Sequence, residues 1–215
     1  MITSDAPAFD PDFRARLREL FVWRRDVRRF RTTPLPQGTL ERLIELACLA
    51  PSVGLSQPWR FVSVDDPQRR AAVRRNFVAC NAEALAAQEP IRRDRYARLK
   101  LAGLDEAPVH LAVFADRETA QGHGLGRLTM PEMAEYSVVA AVHTLWLAAR
   151  AEGIGLGWVS ILDPADIAMI LDVPLHWKLI GYFCLGYPLS EDQTPELERA
   201  EWDRRRDPAS FLTRR

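Results

Sequence analysis

The sequence predicts a single domain of the α/β or α+β class. Stretches with strand character alternate with stretches of helical spacing along the chain. The 215 residues, 47% of them hydrophobic, suit one compact unit large enough to bury a core. A long, almost wholly apolar helical stretch occupies residues 133–151, and nothing reads as a linker between two domains.

Residues 1–12 and about 206–215 are expected to be peripheral ends. Phe13, Leu17, Leu20 and Phe21 follow helical spacing. The turn Pro34-Leu35-Pro36-Gln37-Gly38 leads to Thr39, a candidate N-cap, and Leu40, Leu43, Ile44, Ala47 and Cys48 then form one helix face that Pro51 ends. Residues 59–64 read as a strand. Asp66-Pro67 caps a polar, Arg-rich helical region running to about Leu101, interrupted near Pro90. An apolar strand from Val109 to Ala115 precedes a glycine-rich loop over 116–131. After the central helix come a glycine-rich turn and strand (153–162), a short helix capped by Asp163-Pro164, a strand from Leu179 to Leu185, and a tail. His143, mid-helix on a largely apolar element, is expected to be a hydrogen-bonded core histidine.

Composition excludes several classes of function. Twenty-nine basic residues balance 29 acidic ones, so no global field attracts nucleic acid or an anionic membrane. Apolar runs fall short of the roughly 18 residues a membrane-spanning helix needs. No charged-then-apolar signal segment opens the chain, and the expected location is cytoplasmic. Cys48, Cys80 and Cys184 are too few and too dispersed for a disulfide framework or a metal knuckle. His110, His123, His143 and His176 show no metal-ligand spacing, so no metal is expected. Serine-hydrolase elbows, phosphate-binding Walker loops and the dinucleotide fingerprint are absent, and Gly122-His123-Gly124-Leu125-Gly126 has the wrong spacing and reads as a flexible loop.

Four segments carry chemistry. Arg24-Arg25-Asp26-Val27-Arg28-Arg29-Phe30-Arg31 places five arginines around one carboxylate. It forms either a solvated face or an anion pocket whose guanidinium groups clamp a phosphate. Asp26 would repel a phosphate, so it either pairs internally or addresses another part of a ligand. Ala50-Pro51-Ser52-Val53-Gly54-Leu55-Ser56-Gln57-Pro58-Trp59 fixes an irregular backbone with short polar arms at Ser52 and Gln57. It suits either a flat hydrogen-bonding heterocycle or a tight packed loop. In Glu152-Gly153-Ile154-Gly155-Leu156-Gly157-Trp158-Val159-Ser160, glycines at alternate positions allow close approach to a ligand or to another strand. The basic tail Trp202-Asp203-Arg204-Arg205-Arg206 alone reads as solvated.

Taken in order, these segments resemble the FMN-dependent nitroreductase superfamily over about residues 14–212. The resemblance implies an α+β fold with a central mixed or antiparallel sheet flanked by helices, in an interlocked homodimer that holds FMN at its interface. It assigns Arg24, Arg25 and Arg28 to the phosphate and ribityl end, with Arg205 completing the clamp, although Arg204 or Arg206 can fill that place. Val27, Ser52, Gly54, Gln57 and Ser160 are further flavin contacts, and a lid over about residues 76–102 would bring in Leu101.

Ordinary members of the superfamily usually carry Ser or Thr where this chain has Asp26, and Asn where it has Leu55. Those departures point to the branch that consumes FMN. Reduced FMN, supplied by a separate NAD(P)H-dependent flavin reductase, is there fragmented with O2 to 5,6-dimethylbenzimidazole, the lower ligand of vitamin B12, and erythrose 4-phosphate. A carboxylate beside a flavin is costly to bury, and proton transfer during ring breakdown gives it a use. Asp26 is accordingly the implied acid–base residue, and Ser160 is the implied hydrogen-bonding partner at the flavin's central ring. The alternatives are an NAD(P)H nitroreductase or flavin reductase that recycles FMN, and a flavin carrier without chemistry.

Overall fold

The computed structural model describes residues 7–89, 93, 96 and 103–215. It is α+β. Helix α1 (Pro11–Trp23) begins at Asp10, whose side chain accepts from the Phe13 N–H at 2.7 Å. Helix α2 (Thr39–Ala47) starts from Gly38 in the left-handed region (φ 79°). Gly38 therefore holds the cap position expected of Thr39, and Thr39 is the buried first helical residue. The Pro36–Gly38 turn explains the shift: Thr39 N–H donates to the Pro36 carbonyl, and only glycine adopts that φ freely. Strand β1 (Trp59–Ser63), helix α3 (Pro67–Ala86), the turn α4 (Gly103–Glu106) and strand β2 (Val109–Asp116) follow. Then come α5 (Met133–Ala151), β3 (Gly155–Val159), α6 (Pro164–Leu171), β4 (Trp177–Gly186) and the short α7 (Glu196–Arg199). Asp66 and Asp163 cap α3 and α6 through their side chains, as their Asp-Pro pairs predict.

The four strands form one antiparallel sheet in the order β1-β2-β4-β3. Alternation along β2 divides the core. Leu111, Val113 and Ala115 face α2 and α5, packing with Leu43, Ala47, Val138, Val142 and Leu145. Ala112 and Phe114 face α3 and α6, packing with Val73, Ile167 and Leu171.

Helix α5 is central but not enclosed. Tyr136, Val139 and His143 share an exposed face, so His143 is not the core histidine expected from its neighbours. Helical spacing separates it from the buried row Val138, Val142, Leu145. The buried histidine is His110, whose Nδ1 lies 2.8 Å from the Tyr182 hydroxyl. All three cysteines are free. Among the described residues no helix is long and apolar enough to cross a membrane, and no cluster of three or more candidate metal ligands occurs.

Burial, with a smaller contribution from Arg70, pushes the His110 pKa from 6.5 down to about 4. The unfolded chain takes up this proton below pH 6.5, whereas the folded chain refuses it until about pH 4. Stability should therefore fall by roughly 3 kcal/mol as pH drops through that window. In urea titrations between pH 7 and pH 4, His110→Phe should start less stable and lose distinctly less. An equal loss in both proteins would show that His110 does not set the slope.

Candidate active site

The site begins where α1 ends. Arg24 is its C-cap and has already turned to an extended conformation, so residues 24–28 leave the helix as a strand-like segment. That segment lies along the open edge of β3, where Asp26 bridges Leu156 in parallel and Val27 N–H donates to the Leu156 carbonyl at 3.1 Å. The alternating glycines make room for it. A Cβ at Gly157 would be driven into the Val27 carbonyl oxygen, and one at Gly155 would stand 2.7 Å from a Val27 methyl. Of the two expectations for this motif, close approach to another strand is what the fold shows.

Extension of the segment sends alternate side chains to opposite sides. Arg24, Asp26 and Arg28 line a cavity of about 130 Å³ that Arg25, Glu196 and Arg205 also reach. Val27 and Arg25 line a narrower crevice against Trp146 and Ile154. Arg24 lies over the Trp146 ring at 4.8 Å, and the indole N–H donates to the Arg25 carbonyl at 3.0 Å. The Arg25 guanidinium is tied to the Val22 and Asp192 carbonyls. Of the three tail arginines, Arg205 is the one that lines the cavity.

Four arginines thus meet two carboxylates, Asp26 and Glu196, in one small cavity. Desolvation lowers the pKa of both Arg24 and Arg25, and the Arg205 charge lowers both further. Glu198 lies 3.9 Å from Arg205 and, with Asp192, also acts on Arg25, so nearby acids offset part of this positive charge. Four guanidinium groups converging on one cavity fit a phosphorylated ligand.

Asp26 sits inside this field. Its Oδ1 accepts from the Trp158 N–H at 2.9 Å. Although 38% of its side chain remains exposed, crowding around the carboxyl desolvates it and pushes its pKa up. The Trp158 amide, Arg28 and Arg24 pull the other way without cancelling that rise, and Glu196 reinforces it. Ser160, exposed, lies two residues beyond Trp158, just past the end of β3, and does not line this cavity.

Ser52, Gly54 and Gln57 are not brought to the arginine cavity. Ser52 Oγ accepts from the Gln57 N–H at 3.1 Å, Gln57 Oε1 accepts from Gln121 at 2.9 Å, and Gly54 packs against Gly122 and Leu125. The glycine-rich loop is therefore fastened to this segment. Leu101 lies outside the described residues, as does most of the second half of the expected lid; its first half is the end of α3. Trp146, Asp192 and Glu196 were not legible as site residues. An indole N–H on a central helix was the one usable signal, since it needs an acceptor.

Residues 21–187 match the sequence model of the Nitroreductase family, and the chain belongs to that family. It is 58% identical over 200 residues to a 5,6-dimethylbenzimidazole synthase of Rhodospirillum rubrum, covering 93% of this chain and 95% of that protein. It is 47% identical over 194 residues to a 5,6-dimethylbenzimidazole synthase of Rhodobacter capsulatus, covering 90% and 94%. Among solved structures, oxidized iodotyrosine deiodinase bound to FMN and 3-iodo-L-tyrosine superposes with a TM-score of 0.74 at 23% identity, over 92% of this chain and 99% of that one. At that identity the likeness concerns the fold.

The Trp158 contact separates the structural role of Asp26 from its chemical one. Asp26→Ala leaves that amide without its acceptor and should cost about 1–3 kcal/mol. Asp26→Asn keeps an accepting oxygen and should cost less than about 1 kcal/mol. Urea unfolding of the two variants measures the difference; equal losses would mean that the amide does not need Asp26.

Proposed function

We propose that this chain is a 5,6-dimethylbenzimidazole synthase, which fragments reduced FMN with O2 and releases erythrose 4-phosphate. The observation that carries the reading is Asp26: a carboxyl of raised proton affinity, fixed on the Trp158 amide within an arginine cluster. The 58% identity to a synthase over nearly the whole of both chains supports it. FMN is the substrate; when bound it supplies the electrons for O2 and the ring carbons of the product.

The chain's own residues bind, orient and move protons. Arg24, Arg25, Arg28 and Arg205 hold the phosphate and ribityl end. Trp146 stiffens the clamp by stacking under Arg24. Asp26 gives and takes protons, and Ser160 offers a hydrogen bond at the flavin's central ring. Ser52, Gly54 and Gln57 complete the flavin contacts from a second copy of the chain, because within one chain they stand on a different loop system from the arginine cavity. The exposed apolar residues Phe13 and Phe21 on α1 and Tyr136 and Val139 on α5 support a homodimer. A separate NAD(P)H-dependent reductase supplies the reduced flavin, in a cytoplasmic setting that suits three free cysteines.

The deciding experiment loads the protein with reduced FMN anaerobically, admits O2 and analyses the products by chromatography and mass. The wild-type chain should yield 5,6-dimethylbenzimidazole while oxidising NAD(P)H only slowly; Asp26→Asn should bind FMN and yield none. Steady NAD(P)H oxidation without that product would mark a flavin-recycling enzyme, and intact FMN returned in air would mark a carrier.

The clamp has its own test. Arg205→Ala should weaken FMN binding about tenfold, the worth of one charge-assisted hydrogen bond, and leave riboflavin, which lacks the phosphate, unchanged. Flavin fluorescence titration reads both. Equal weakening of the two ligands would remove Arg205 from the phosphate site.

A further inference from the structure

Arg28 lies near two carboxylates and hydrogen-bonds to neither. Its Nε lies 3.7 Å from Oδ2 of Asp26 and 3.9 Å from Oε2 of Glu196, both beyond hydrogen-bond reach. That nitrogen is buried without a hydrogen-bond partner, and 12% of the side chain is exposed. A buried guanidinium nitrogen without an acceptor is costly, and a small movement toward either acid would relieve it. The two carboxylates stand at similar distances from it.

We propose that Glu196 is a positioning residue for Asp26: by sharing Arg28 it holds the guanidinium back from the Asp26 carboxyl and keeps that carboxyl able to take up a proton. The role rests on reading Asp26 as the acid–base residue.

Among the described acids near Asp26, Glu196 is the one that also lies within 3.9 Å of Arg28. From its own segment come the cations Arg24 and Arg28, and from β3 the Trp158 amide; all three favour the carboxylate. From β4 comes the Cys184 thiol, whose pKa burial raises to about 12, so it brings no charge at neutral pH. From α7 comes Glu196, whose negative charge opposes ionisation of Asp26, and Asp192 and Arg199 line an adjoining cavity with both. Loss of the Glu196 charge has two effects of the same sign. The repulsion disappears, and Arg28 becomes free to close on Asp26 as a charge-assisted hydrogen bond of about 2.8 Å. Both stabilise the carboxylate and lower its proton affinity.

The test titrates Asp26 directly. In the full-length protein carrying carboxyl-labelled aspartate, the Asp26 carbon resonance is assigned by its disappearance in Asp26→Asn, and its midpoint is followed with pH by NMR. Glu196→Gln should lower that midpoint by about one pH unit, a tenfold loss of proton affinity. An unchanged or raised midpoint overturns the proposal.

A double-mutant cycle separates sharing of Arg28 from direct repulsion. In an Arg28→Gln background the Glu196→Gln shift should fall below half its size, and a full-sized shift overturns the sharing. In the enzyme supplied with reduced FMN, the limb of the pH–rate profile that depends on Asp26 should move to lower pH in Glu196→Gln. Product formation by Asp26→Asn would sink the acid–base reading instead, and the midpoint shift would still decide what Glu196 does to Asp26.

Discussion

Everything at the site depends on how closely the Asp26–Val27 backbone approaches β3. The Val27 carbonyl occupies the space that a side chain at 157 would need, so the segment lies on the strand and not beside it. An edge strand with its polar groups open is a liability, and this contact covers it over the stretch Leu156–Trp158. It also fixes the phase of the segment. Once Asp26 bridges Leu156 and the Val27 N–H bonds the Leu156 carbonyl, the carboxyl of Asp26 falls on the Trp158 amide, and Arg24 and Arg28 are placed on the same side by alternation. Shifting the segment by one residue would bury arginines and expose Val27. Two glycines therefore set the geometry of a site to which they contribute no functional group.

The neutral total charge conceals how the arginines are used. Away from the site they pair with carboxylates, one by one: Arg29 with Glu106, Arg42 with Glu152, Arg60 with Asp116, Arg74 with Asp105, Arg150 with Glu191. Several of these pairs are exposed and contribute little to stability. The group at Arg24, Arg25, Arg28 and Arg205 differs because four guanidinium groups reach one cavity. Mutual repulsion and desolvation both lower the charged-state stability of Arg24 and Arg25. That cost persists in a folded protein when an anion offsets it, which is the electrostatic argument for a phosphate ligand.

Local rules made most of the fold legible. Asp66-Pro67 and Asp163-Pro164 cap helices because a carboxylate before a proline satisfies N–H groups that the helix cannot. Thr39 misled because a left-handed turn after Pro36 needs glycine, a backbone demand that outranks a hydroxyl cap. His143 misled because an apolar helix was equated with an enclosed one, whereas one face of α5 is open in a single chain. At the site, Arg24, Asp26 and Arg28 were legible from residue type and spacing. Glu196 was not. It stands 168 positions after Arg28 in a polar tail, and no periodicity or motif links the two; only the fold joins them.

The loop holding Ser52, Gly54 and Gln57 shows a different constraint. Leu55 and Gln57 both have positive φ (55° and 43°), a strained conformation for residues with a Cβ, and Gly54 lies between them and Ser52 at φ 56°. Such strain survives only where the surroundings over-determine the backbone. Here Ser52 and Gln121 hold Gln57, the Ser137 hydroxyl receives the Val53 N–H, and a Cβ at Gly122 would strike the Gly54 carbonyl. Leu55 itself is left 71% exposed. A loop held rigid and strained, yet not lining its own chain's arginine cavity, gains a purpose on the proposed function when a second copy supplies the ligand. On the proposed function, the arginines fix one end of the flavin and the strained loop of the partner subunit receives the rings, so neither chain needs to contain the whole site.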